Sequence, residues 1–266
     1  ANFGIIFGVE ARSIHLAFGL VLCFLMFPAT KGLTERRLGF VDIALVVVAC
    51  YPALYIYLAH AGLVERRGIP LTIDLMGMNL PFETMLGSIG ILLLLEATRR
   101  AIGLPLVIVA AVFLVYSIFG QSMPEIISHR GVSLNRLIGY QWLGGEAIFG
   151  IPIDVSVSFV FLFVLFGALL EKAGAGRYFL DLAFAMVGRF RGGPAKAAIL
   201  ASGMTGAISG SSIANVVTTG TFTIPVMVKT GYPAIKAGAI EVAASTNGQI
   251  MPPIMGAAAF VMAGFL

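Results

Sequence analysis

Charge is what this sequence lacks. Lys, Arg, Asp and Glu make up only 11% of its 266 residues, and residues 197–228 include none at all. A chain that is 59% hydrophobic, with a mean hydropathy of +0.98, is too greasy for a soluble globule and reads as an integral membrane protein built of helices. The two cysteines, Cys23 and Cys50, both lie inside apolar runs, so neither a disulfide framework nor a metal-ligand spacing is suggested. The three histidines, His15, His60 and His129, stand at span ends or in a polar linker, well before the serine-rich part of the chain. That leaves an intramembrane serine protease built on Ser209 without a general base. The stretch KAGAGR at 172–177 lacks the Gly-Lys-Ser/Thr ending and the preceding strand of a nucleotide-phosphate loop. The surplus of positive charge, +4, sits in short loops between apolar runs, where membrane topology explains it better than nucleic-acid binding does.

What is present is a series of apolar runs near the roughly 20 residues needed to cross a bilayer, at 13–28, 39–60, 82–97, 103–120 and 154–170. A polar stretch, 121–153, separates the first four from the rest. Within it Leu134, Leu137, Ile138 and Trp142 recur at helical spacing, with Arg136 and Gln141 turned away, which predicts an amphipathic helix along the membrane interface. The expected domains are therefore 1–120, a four-helix membrane unit; 121–153, an interfacial linker; and 154–266, the part that carries the chemistry. Placing Lys31, Arg36 and Arg37 inside and alternating the spans puts 12 of the 17 basic residues on the inner side. The short segment 178–187 then lies on that face without crossing.

The charge-free run is not an ordinary span. Of its 32 residues, 18 are Gly, Ala, Ser or Thr, a composition for close packing against protein. At its centre GAISGSSIAN, 206–215, interrupts the helix, and exposed irregular backbone cannot survive in hydrocarbon. Lys196 and Lys229 flank the run, so both ends belong on one face and a re-entrant hairpin over about 194–229 fits. Gly210 suits the left-handed end of the first arm and Ser211 or Ser212 the cap of the second; Pro225 would kink the returning arm. A second break, STNGQIMPP at 245–253, lies in a helix over about 234–266. Asn247 and Gly248 suit the end of one half, and Pro252 and Pro253 the first turn of the next. Paired helix ends of this kind hold ions and anionic solutes in transporters.

The segments EATRRAIGLPL (96–106), FVFLFVLFGALLEKAGAG (159–176), SGSSIANVVTTGTFTIPVM (209–227) and ASTNGQIMPPIMGAAAF (244–260) resemble the fused membrane subunit of tripartite ATP-independent periplasmic (TRAP) transporters, in the branch served by TAXI-type binding proteins. The resemblance implies an all-α membrane fold, with a four-helix scaffold followed by the first of two inverted repeats, each with a re-entrant hairpin and a broken helix. It implies a permease of the bacterial inner membrane, with no enzyme activity and no cofactor. This permease would receive a small organic acid from a periplasmic TAXI-type protein and import it with Na+ (or H+). Since no second SGSS or GQxxPP stretch occurs, the opposite half of the site is expected beyond Leu266.

Carried onto this chain, the resemblance assigns Ser209, Gly210, Ser211, Ser212, Thr246 and Gly248 to a cation site of neutral oxygens. It places Asn215, Asn247 and Gln249 closest to the solute. Glu241, one turn before Ser245, is the nearest titratable group and the candidate for proton coupling. The alternative is that it pairs with Lys236, five residues earlier. A passive channel or a purely structural membrane subunit is the competing class, distinguished by uptake that needs neither gradient nor binding protein.

Overall fold

The computed structural model describes residues 8–29, 39–65, 71–75, 78–252 and 254–265. The described part of the chain is predominantly helical and separates into two compact units, 1–154 and 155–266. Among the described residues four helices are long and apolar enough to cross a membrane: Val9–Met26, Phe40–Ala59, Leu104–Ser122 and Ile151–Lys172. The basic residues 31, 36, 37, 66 and 67 used to orient the spans lie outside the described residues, as does Pro253.

In the first unit α1 (Val9–Met26) and α2 (Phe40–Glu65) precede a hairpin of two short strands, β1 (Ile73–Leu75) and β2 (Met78–Leu80), which hydropathy did not announce. The strands pair antiparallel, Ile73 opposite Leu80. Then come α3 (Phe82–Ala101), α4 (Leu104–Phe119), the short α5 (Leu134–Ile138) with a π-helical turn, Gly139–Leu143, and α6 (Ile151–Val155), within which the unit boundary falls. Helix α3 is not among the four apolar spans; Glu83, Glu96, Arg99 and Arg100 make it too charged. Arg100 bonds Asp42 of α2 at 2.7 Å and Glu96 at 2.8 Å, with Phe24 of α1 under its guanidinium, so one buried cluster ties three helices. The amphipathic stretch around Trp142 packs inward, on α3. Leu137, Ile138 and Trp142 are buried while Leu134 stays exposed. Gly87 and Gly90 clear the way: a Cβ at Gly90 would stand 2.3 Å from the indole ring. The Trp142 indole N–H donates to the Pro52 carbonyl at 3.2 Å.

The second unit is a layer of short helices. After a π-helical turn, Ser156–Val160, come α7 (Phe161–Lys172), α8 (Ala175–Val187), α9 (Gly193–Ser209), α10 (Ser212–Lys229), α11 (Ala234–Thr246), a 3-10 turn Asn247–Gln249 and α12 (Ala257–Phe265). At 1.5 Å per residue α9 and α10 reach about 25 to 27 Å, short of a bilayer core of about 30 Å. Small residues let them pack tightly: Ala197 and Ala201 of α9 meet Leu180 and Ala183 of α8, and Ala195 and Ala198 meet Met227 of α10 and Ala237 of α11. The α9 start and the α10 end thus lie together, and the chain doubles back between them.

Candidate functional site

The reversal takes two residues. Gly210 closes α9 at φ +62°, in the left-handed region open to glycine. Ser211 is extended and caps α10, its Oγ accepting from the Ala214 N–H at 3.3 Å. The second break lies over this tip. The Ile254 N–H donates to the Ala207 carbonyl at 3.3 Å, and a Cβ on Gly210 would stand 2.3 Å from the Met255 carbonyl oxygen. Gly206 and Gly248 meet backbone to backbone, a Cβ on the former falling 2.7 Å from the Cα of the latter. Only glycine permits this approach.

The break itself differs from expectation. Helix α11 tightens into a 3-10 turn with Asn247 right-handed, and the Asn247 carbonyl accepts from both the Ile250 and Met251 N–H groups. The new helix begins at Ala257, so Pro252 lies in the crossing segment and not in its first turn. That segment folds on itself instead, the Gly256 N–H donating to the Gln249 carbonyl at 2.7 Å. Met255 takes φ +51°, the sole described non-glycine residue with positive φ.

Beneath the tip runs a buried polar network. Glu241 of α11 accepts from Thr219 and from Ser245 (3.0 Å) at Oε1, and from Thr223 (2.5 Å) at Oε2. Ser245 Oγ lies 3.0 Å from Ser202 Oγ, Asn215 Nδ2 donates to the Ser202 carbonyl (2.8 Å) and Oγ (2.9 Å), and Thr205 donates to Asn215 Oδ1 (2.6 Å). The spacings explain it: Thr219 and Thr223, and Glu241 and Ser245, stand four apart, stacked on facing helix surfaces. A cavity of about 290 Å³ opens beside the tip, lined by Glu171, Thr205, Ser209, Ser211, Asn215 and Thr218 among others.

Across residues 89–266 the chain matches the family model described as the tripartite ATP-independent periplasmic transporter, DctM component. The chain belongs to that family. Among curated relatives, the C4-dicarboxylate TRAP transporter large permease protein DctM of Pseudomonas aeruginosa is 43% identical over 91 residues, 34% of this chain and 21% of its own length. An uncharacterized protein of Salmonella typhimurium, YgiK, is 31% identical over 173 residues, 65% of this chain and 35% of its own. The isethionate TRAP transporter permease protein DctMQ of Oleidesulfovibrio alaskensis is 29% identical over 251 residues, 87% of this chain and 38% of its own. The chain thus spans well under half the length of these relatives. No solved structure matches it significantly.

In this TRAP family chain the sequence-derived site residues do not converge on one point. Ser209 and Ser211 line the cavity, Ser212 Oγ accepts from Gln249 Nε2 at 3.1 Å, and Gly210 and Gly248 make the close backbone contacts. Thr246 bonds back to the Val242 carbonyl of its own helix, and it, Asn247 and Gln249 are exposed. Asn215 is buried with both ends of its amide bonded, so it braces the two arms. Glu241 does not pair with Lys236, which is exposed. The sequence reading missed Glu171 and the hydroxyls of Ser202, Thr205, Thr219 and Thr223. The four-residue spacing was the available signal for the last two; Glu171 had none, because only the fold brings α7 to the tip.

Proposed function

We propose that this chain is the scaffold and first repeat of a secondary active permease in the bacterial inner membrane. It takes a small carboxylate-bearing solute from a periplasmic TAXI-type binding protein and moves it with Na+. Residues 1–120 serve as the membrane scaffold. The observation that carries the reading is the seating of one helix break on another, Gly206 against Gly248 and Ile254 on Ala207, beside a polar cavity. The cation is held by neutral oxygens at the hairpin tip, from Ser209 and Ser211 of the six expected residues, and the Glu171 carboxylate at the cavity wall favours positive charge there. The solute carboxylate then meets the positive N-terminal end of α10 and the amides of Asn247 and Gln249, with Asn215 at the cavity lining. Since the two breaks are locked together, an ion that bridges them also fixes the solute-binding surface, which is how binding of one favours the other.

The test is uptake by the complete transporter in liposomes, with the binding protein outside and the Na+ and proton gradients set separately. Uptake should follow the Na+ gradient and stop without the binding protein. Uptake indifferent to both would return the chain to the channel class.

A further inference from the structure

Glu241 is wholly buried, yet it has no basic partner among the described residues. The charged groups on the elements packed against it are Lys196 on α9, Lys229 on α10 and Lys236 on α11 itself, each exposed; the turn Asn247–Gln249 has none. An isolated carboxylate taken out of water is expensive unless it is hydrogen-bonded or neutralised. Here three hydroxyls surround it, from Thr219, Thr223 and Ser245. Gly220 leaves the room: a Cβ there would come within 3.2 Å of Glu241 Cγ.

Both threonines have a second place to send their single proton. Thr219 Oγ1 is 2.8 Å from the Asn215 carbonyl and Thr223 Oγ1 is 3.0 Å from the Thr219 carbonyl. With the carboxylate ionised, all three hydroxyls turn to it. When a proton adds to Oε2, that O–H donates to Thr223 Oγ1 and the Thr223 proton turns to the Thr219 carbonyl. Oε1 keeps Thr219 and Ser245, so one hydroxyl rotation leaves no polar group unsatisfied in either state. A lysine partner would favour the ionised state only.

From this two-way cage we propose that Glu241 is a proton-binding site of the chain, distinct from the neutral oxygens at the hairpin tip. The bonds through Ser245, Ser202 and Asn215 to Thr205 lead from it to the cavity. Resting on the reading of that cavity as a cation site, proton uptake at Glu241 removes negative charge from the connected network and weakens cation binding, while cation binding opposes protonation.

Infrared difference spectra of the complete transporter between alkaline and acidic pH test the site without transport. Wild type should gain a protonated-carboxyl band that Glu241→Gln lacks. Thr223→Val, which keeps the shape but removes the hydroxyl that receives the proton, should shift the band to a less hydrogen-bonded frequency. Identical spectra in all three proteins would overturn the proposal. Tracer Na+ binding tests the linkage: acidification should raise the half-saturating Na+ concentration by at least about 5-fold in wild type and not in Glu241→Gln. An equal effect in both would overturn the linkage. If the transporter binds no Na+ at any pH, the Na+ reading falls while the infrared titration still decides Glu241.

Discussion

Replacing Gly210 with alanine sets two separate costs on one position, and a second glycine separates them. Gly210 has φ +62°, and a side chain in that region costs about 1 to 2 kcal/mol. Its Cβ would also stand 2.3 Å from the Met255 carbonyl oxygen, a backbone atom that cannot swing aside as a side chain could. Overpacking of this kind costs typically 1 to 3 kcal/mol. The sum is about 2 to 5 kcal/mol. Gly231, in the loop between α10 and α11, has φ +96° and nothing within 4 Å of its would-be Cβ, so Gly231→Ala should incur the conformational part alone. Thermal denaturation of the detergent-purified transporter should therefore rank wild type above Gly231→Ala and both above Gly210→Ala. Amide hydrogen exchange locates the difference, because lifting the break from the tip frees the Ile254 N–H from the Ala207 carbonyl. Protection at Ile254 should fall in Gly210→Ala and persist in Gly231→Ala. Equal melting shifts with unchanged protection in both would refute the seating of the break on the tip.

Ser211→Ala removes the cap of α10 and should destabilise by about 0.5 to 2 kcal/mol, while raising the Na+ concentration needed for half-maximal uptake; an unchanged requirement would strike Ser211 from the cation site. Asn215→Ala strands the bonds of Ser202 and Thr205 at a cost of about 1 to 3 kcal/mol, visible as a lower melting temperature, with Asn215→Asp an imperfect rescue. In the first unit Arg100→Met leaves Asp42 buried and unpaired, a loss of about 3 to 5 kcal/mol, and the double variant with Asp42→Asn should melt above that single one. Gly90→Ala drives a methyl into the Trp142 ring and should lower the melting temperature as a typical overpacking variant does, by about 1 to 3 kcal/mol.

Hydropathy alone marked four of the five expected spans, since crossing a bilayer is a requirement of length and apolarity that each segment meets by itself. The fifth, α3, shows where that logic ends: its Glu96 and Arg100 look like a span boundary but join a cluster with the buried Asp42, 58 positions before Arg100. Trp142 was legible as part of an amphipathic face, though not which surface that face covers. Local backbone chemistry was legible too. Gly210 and Ser211 announce a turn because glycine alone takes left-handed backbone freely and serine readily caps a helix.

What the sequence by itself determined was set within a few neighbouring residues: membrane helices, the two interruptions and the charge-free runs around them. Tertiary structure decided what those interruptions touch. It set Gly206 on Gly248, turned Asn215 from a free amide into a brace, brought Glu171 to the cavity and closed three hydroxyls around Glu241. The physical reason is that helix periodicity fixes which residues share a face, whereas the partner of that face depends on packing between segments far apart in the chain, where a single missing Cβ decides how closely two backbones approach.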